Sequence, residues 1–355
     1  MDSIYLDRNE SQYGPAPACF EVLRRAGQAE LTRYTRDFDR GVKSRVTERI
    51  AAELGVPERA VMLGYGAELL LKMAVHRFVP RDGKLLVPDA SWWYYRAIAD
   101  EVGAATGTYR ILRDGDRFRY DAAAIIEAYD THRPSAVLIA SPNNPTGNSI
   151  EPDVLRAVLE HMRDAVVIID EAYWGYASTD NSHVARLIEE FDNVVIVRSF
   201  SKYYGLAGVR MGYAVAGDRF ADFAAYTTLF LGYQQIAENL ALAALDSPEY
   251  YAAIARRIEE DKQMFHSRLA GYASVTSYRS DGNFLLFRIA PAVSTALRER
   301  LASRNITAKF FSEPMFIDHM RLSLGTSEQN ALVLTSMLEA IDSTNEGSNE
   351  YSVAI

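Results

Sequence analysis

A chain of 355 residues is long enough to bury a large core and divide in two, because single cores stop growing near ~250–300 residues. The formal charge of −9 works against nucleic acid, which requires a basic footprint, and no run approaches the ~20 apolar residues that span a bilayer. One cysteine, Cys19, excludes an internal disulfide framework, and six scattered histidines with no cysteine cluster give no protein-held metal site.

The opening, Met1-Asp2-Ser3-Ile4-Tyr5, lacks the basic-then-apolar pattern of an export signal, so a cytoplasmic protein is expected. Residues 1–35 carry little regular pattern and are expected to form an arm. Beyond them, short apolar runs alternate with helical patterns, the mark of a mainly parallel α/β sheet. Val46, Ile50 and Leu54 share one face of a helix that Gly55 and Pro57 close. Strands are predicted at 61–63, 84–87, 136–140, 166–169 and 194–197, and Val154, Leu155, Val158, Leu159 and Met162 form a further helical stripe. After residue 245 the texture changes. Ser247-Pro248 starts a long helix with Ile254, Ile258, Phe265 and Leu269 inward, and a strand-like stretch follows at 283–289. Thr326, with Gln329 three residues on, opens a last helix carrying Leu334, Met337, Leu338 and Ile341. The expected division is an arm over 1–35 that joins the small domain, a large domain over 36–240, a small domain over 241–345 and a mobile tail over 346–355.

In open α/β sheets the ligand lies outside the carboxyl ends of the strands, and the unusual polar residues fall there. Residues 61–63 run into Gly64-Tyr65-Gly66-Ala67-Glu68 at a helix start, where backbone amides suit a phosphate, although most Gly-x-Gly turns are only turns. Residues 85–87 lead to Trp92-Trp93-Tyr94-Tyr95, aromatics that stack on a flat ring or simply fill a core or interface. Residues 136–140 end in Ser141-Pro142-Asn143-Asn144-Pro145-Thr146-Gly147, which fixes Asn144 as a donor or forms an ordinary type I turn. Asp170, after 166–169, is costly to bury unless paired. A protonated ring nitrogen is a natural partner, and a helix N-cap is the competing reading. Residues 194–197 precede Arg198-Ser199-Phe200-Ser201-Lys202, the one lysine between Lys84 and Lys262, with Arg210 eight residues later. An amine flanked by hydroxyls and backed by an arginine suits a Schiff base to an aldehyde that carries a phosphate, whereas a solvated loop lysine is the bland alternative. Occurring together in sequence order, these features describe a pocket for pyridoxal 5′-phosphate.

The strings Asn143-Asn144-Pro145-Thr146-Gly147, Asp170-Glu171-Ala172-Tyr173, Ser199-Phe200-Ser201-Lys202 and Gly205-Leu206-Ala207-Gly208-Val209-Arg210 carry a family resemblance. From Leu6 to Ile341 the chain resembles the fold-type I pyridoxal-phosphate enzymes, class I/II aminotransferases, in their histidinol-phosphate aminotransferase-like branch. The resemblance implies a mainly parallel central sheet with helices on both faces plus a smaller α/β C-terminal domain. It implies an aminotransferase moving an amino group between an L-amino acid (aromatic, bulky or histidinol-phosphate-like) and a 2-oxo acid. The alternative is a decarboxylase, an elimination or replacement enzyme, or a cyclase on the same scaffold.

By the same resemblance Lys202 holds the cofactor and shuttles a proton, Asp170 pairs with the pyridine nitrogen, and Asn144 and Tyr173 bond the 3′-oxygen. Ala67 and Glu68 offer backbone amides, and Ser199, Ser201 and Arg210 offer side chains, to the phosphate. Tyr95 matches the stacking position, with Trp92 or Trp93 as replacements. Tyr13, in Asn9-Glu10 and Tyr13-Gly14-Pro15, faces the substrate, and Arg321, in His319-Met320-Arg321-Leu322, binds its α-carboxylate. Tyr34 reaches the phosphate of a neighbouring subunit, which implies a homodimer with shared sites, although Thr35 stands where the branch has proline. Lys309 occupies the place of an arginine used for a distal phosphate, so a bulky or aromatic substrate is equally in view.

Overall fold

Val166–Asp170 reads Val-Val-Ile-Ile-Asp with all five residues buried, and a strand with no polar face sits inside a sheet covered on both sides. The computed structural model describes residues 3–350. Its strands, in chain order, are β1 (Ile4–Leu6), β2 (Val61–Gly64), β3 (Lys84–Pro88), β4 (Ala105–Tyr109), β5 (Leu112–Asp114), β6 (Arg117–Arg119) and β7 (Ala136–Ala140). They continue with β8 (Val166–Asp170), β9 (Val194–Ser199), β10 (Gly212–Ala216), β11 (Val275–Tyr278), β12 (Phe284–Ile289), β13 (Ile306–Phe310) and β14 (His319–Ser323). The larger sheet has the order β2-β10-β9-β8-β7-β3-β4, parallel except for β10, which runs antiparallel to both neighbours. Alternating side chains then face opposite ways. Val87, Leu138, Ile168 and Val195 pack with Leu70, Leu71 and Ile98 of the helices Ala67–Phe78 and Tyr94–Glu101, while Ile139, Ile169 and Ile196 join a core that continues into the second sheet.

All five predicted strands of this sheet are present, each within two residues of its expected end. The strands β4 and β10 were not predicted. Their sequences, Ala-Thr-Gly-Thr-Tyr and Gly-Tyr-Ala-Val-Ala, are built from small residues with little apolar signal. Small residues are required in β10: a Cβ on Gly212 would come 2.5 Å from the Ala67 nitrogen.

The second sheet has the order β1-β13-β14-β12-β11, antiparallel except for β1, which pairs parallel with β13. The first residues are therefore more regular than expected, since Ile4–Leu6 finds a partner three hundred residues away and the helices Pro17–Arg25 and Gln28–Thr32 follow. At the helix Arg45–Leu54 the Ser44 hydroxyl accepts from the Val46 amide, and Gly55 ends it at φ 67°. The Thr326–Gln329 capping box forms in both directions, at 2.9 and 3.4 Å. The helix it opens, Ser327–Glu350, takes in the first part of the expected tail, and residues 351–355 lie outside the described residues. Among the described residues no helix is long and apolar enough to cross a membrane.

Candidate functional site

The carboxyl ends of β8 and β9 lie side by side, and the site is built on them. Asp170, the last residue of β8, is 5% exposed. The Tyr95 hydroxyl donates to its Oδ2 at 2.7 Å and the Ala172 amide to its Oδ1 at 2.9 Å. Both partners are neutral, and burial pushes the carboxyl above the usual range while these two bonds pull the other way. Such a carboxylate is completed by a cation at its open side. The N-cap reading fails, because a turn follows and the next helix, Ser182–Glu190, starts well beyond. Tyr95, the residue matched to the stacking position, is 3% exposed, and its hydroxyl is committed to Asp170. Trp92, partly buried, packs edge-on against it with centroids 5.5 Å apart, and Trp93 is 62% exposed.

Lys202 follows β9. Its Nζ donates to the Arg8 carbonyl at 2.8 Å and lies 5.9 Å from the Tyr173 ring centroid. Burial, reinforced by the charge of Arg321, lowers its amine to about 8. Arg321, buried in the middle of β14, brings the second sheet into the site: its guanidinium donates to Asn144 Oδ1 and to the Asp7 carbonyl. Asn143 keeps the Asn144 loop in place by donating from Nδ2 to the Ala90 carbonyl and to Thr146 Oγ1, both at 2.6 Å. The Tyr173 hydroxyl accepts from Asn9 Nδ2 at 2.8 Å.

A second cluster sits where β2 turns into the helix Ala67–Phe78. Gly66 has φ 85°, open to glycine, and a Cβ there would meet the Arg210 guanidinium at 2.7 Å. The absence of that Cβ lets the guanidinium lie against the first turn of the helix, where Arg210 Nη2 reaches Glu68 Oε2 at 3.4 Å. Ser199 and Ser201 are buried at the end of β9 and just after it, the Ser201 amide donating to Ser199 Oγ at 2.9 Å. A helix start, two hydroxyls and a guanidinium make an anion cradle.

Of the expected residues, Lys202, Asp170, Tyr173, Asn144 and Arg321 gather at one set of strand ends, with Ala67, Glu68, Ser199, Ser201 and Arg210 in the cradle. Lys309 is the register partner of Arg321 and shares its sheet face. Two stand apart. Tyr13 packs near Arg257, 6.0 Å from its ring centroid, with Tyr250 donating to its carbonyl. Tyr34 is 62% exposed. Sequence reasoning gave no role to Asn9, although it noted the Asn9-Glu10 string, nor to the arm carbonyls of Asp7 and Arg8. A contact made by backbone oxygen has no residue-type signal.

An amine of lowered pKa, a buried carboxylate hydrogen-bonded by neutral groups and an anion cradle together fit a group with an aldehyde, a basic ring nitrogen and a phosphate. The family model for aminotransferase class I and II matches residues 2–337. The chain is 30% identical over 337 residues to a histidinol-phosphate aminotransferase of Ruminiclostridium cellulolyticum, covering 94% of this chain and 91% of that one. Its fold is similar to the crystal structure of histidinol-phosphate aminotransferase from Sinorhizobium meliloti in complex with pyridoxal-5′-phosphate, with a TM-score of 0.84 at 23% identity, over 96% of this chain and 91% of that one. It is also similar to L-threonine-O-3-phosphate decarboxylase from Porphyromonas gingivalis, with a TM-score of 0.77 at 18% identity, over 96% and 99%. The chain belongs to the class I and II aminotransferases, a family of pyridoxal-phosphate-dependent enzymes that transfer amino groups.

Proposed function

We propose that this aminotransferase takes a bulky L-amino acid or a phosphorylated amino alcohol of the histidinol phosphate kind as donor and a 2-oxo acid as acceptor, with Lys202 as its catalytic amine. The observation that carries this reading is the pairing of Asp170, buried with only neutral partners, with Lys202 on the adjacent strand end, lowered to about 8. Pyridoxal 5′-phosphate, when bound, supplies an aldehyde for the amine and an electron-accepting ring. Asp170 offers its carboxylate to the protonated ring nitrogen. Lys202 Nζ, once released, takes and returns the proton of the substrate's α-carbon. Arg321 forks onto the α-carboxylate, aided by Asn144, and Tyr173 donates its hydroxyl proton to the ring oxygen. Arg210, Ser199, Ser201 and the amides of Ala67 and Glu68 hold the phosphate. With Tyr95 committed to Asp170, Trp92 takes the stacking role. Lys309 sets a single positive charge beside Arg321 for an anionic distal group, as a point charge rather than a fork.

We take the two sheets as the cores of a large and a small domain, with the arm attached to the small one. A homodimer is supported by an exposed apolar patch: Leu31, Tyr34, Tyr226 and Phe230 are 76%, 62%, 58% and 87% exposed, and Gln235 ties the two segments together through the Arg33 carbonyl at 2.7 Å. Tyr34 in that patch suits a shared site. The lone buried cysteine and the acidic charge suit the cytoplasm.

The test is a donor screen read by loss of the bound cofactor's absorbance band, with aromatic amino acids, small amino acids and histidinol phosphate as separate arms and carbon dioxide release measured in parallel. Expected are band loss with a bulky donor, recovery on adding a 2-oxo acid, and no covalently attached cofactor in Lys202→Ala. Carbon dioxide release without a need for 2-oxo acid would select decarboxylation instead.

A further inference from the structure

We propose that Asn9 is a positioning residue that fixes the Tyr173 hydroxyl as a hydrogen-bond donor toward the cofactor's ring oxygen. The proposal rests on the role given to Tyr173 above and adds what holds that side chain in its working state.

Asn9 is 1% exposed, sits at φ 56°, and uses every polar group it has. Its backbone amide donates to Ser323 Oγ at 2.7 Å, and its carbonyl accepts from Asn283 Nδ2 at 3.1 Å. Its side-chain Oδ1 accepts from the Ser323 hydroxyl at 3.0 Å, and its Nδ2 donates to Tyr173 Oη at 2.8 Å. The Ser323 hydroxyl, 0% exposed, accepts the Asn9 amide and gives its own proton to Asn9 Oδ1. Turned the other way, the Asn9 amide would set Nδ2 against that hydroxyl and take away the acceptor of its buried proton, so Nδ2 faces Tyr173. An amide nitrogen only donates, so the tyrosine oxygen accepts, and its own proton is free for another acceptor. The second sheet thereby sets the polarity of a hydroxyl on the first. The charged groups around Tyr173 are Arg321 from β14, Lys202 with Nζ at 5.9 Å from the ring centroid, and Asp170 three residues before it, while Phe284 closes the remaining edge at 5.1 Å.

A donated proton stabilises the ring oxygen as an anion, so the bound cofactor loses its proton at lower pH than it would otherwise. Asn9→Asp keeps the shape and tolerates the positive φ but presents only acceptors at neutral pH, which turns the Tyr173 proton away. Asn9→Gly removes the side chain without adding charge and suits the same backbone. The measurement is the pH midpoint of the absorbance change of the bound cofactor, with thermal melting of the cofactor-free protein alongside. Both variants are expected to raise the midpoint by about 0.5–1 pH unit, roughly three- to tenfold in proton affinity. Tyr173→Phe should raise it at least as far, and Asn9→Asp should add nothing in the Tyr173→Phe background. An unmoved midpoint in both Asn9 variants, beside a moved one in Tyr173→Phe, overturns the proposal and leaves a merely structural Asn9 that lowers melting only. Full additivity in the double variant overturns it as well. If Tyr173→Phe itself leaves the midpoint where it was, the role of Tyr173 falls and this proposal with it.

Discussion

At Lys202 the chemistry turns on how much free amine exists at neutral pH. An ordinary lysine is almost wholly protonated there and cannot attack an aldehyde, whereas an amine lowered to about 8 leaves about a tenth free at pH 7. Covalent capture of pyridoxal 5′-phosphate by the cofactor-free protein should therefore rise about tenfold per pH unit up to about 8 and level off above it. Stopped-flow absorbance from pH 6 to 10 measures this, and a midpoint near the ordinary lysine value of 10.5 contradicts the environment described here. Two residues of the same site were open to mistake from sequence. Tyr95 and Trp92 stand three apart in one aromatic run, and nothing in residue type says which ring faces the pocket. The geometry separates them, since only Tyr95 reaches Asp170.

The end of strand β8 and the residue after it carry different work. Asp170 points into the site, while Glu171 turns the other way and meets Arg198 Nε at 2.7 Å and His183 Nε2 at 3.0 Å, with the guanidinium 4.3 Å from the Trp174 ring centroid. Burial by itself would raise the Glu171 carboxyl, but the charge of Arg198 and the bond from His183 overcome it and bring the group to about 2. Because this folded value lies below the ordinary 4.5, the stabilisation is complete above about 4.5 and is lost as pH falls toward 2. Glu171→Gln leaves the Arg198 charge buried without its partner and should cost about 3–5 kcal/mol in urea unfolding at pH 7. The gap between variant and parent should shrink at pH 3. An equal gap at both pH values would mean that the pair is held by shape and not by charge. The element itself was plain in the sequence as an apolar run, but the alternation that sends one carboxylate to each face became visible only with the register of β7, β8 and β9 in place.

For the whole molecule, the exposed patch around Phe230 and Tyr34 is where the proposed dimer can be tested. Phe230 is 87% exposed in the single chain, so Phe230→Glu should leave the fold intact and break association. Light scattering after gel filtration should give a dimer for the parent and a monomer for the variant, with weakened cofactor retention in the monomer because Tyr34 of a second copy is lost. A monomeric parent with full activity would remove the shared site from the account.

The sequence by itself determined the parts whose cause is local. Short apolar runs rich in valine and isoleucine read as buried strands, serine, threonine and glycine mark the helix ends, and a lone lysine and an aspartate near the ends of such runs declare their cost where they stand. Tertiary structure decided what depends on residues distant in the chain. The register that puts β14 against β12 and β13 carries Arg321 to Asn144, 177 positions away. The docking of residues 4–9 along β13 and β14 brings Asn9 to Tyr173, 164 positions away. Hydrogen bonds of this kind follow from how two sheets pack and from which backbone oxygens come to face the site, and no periodicity or residue preference encodes either of them.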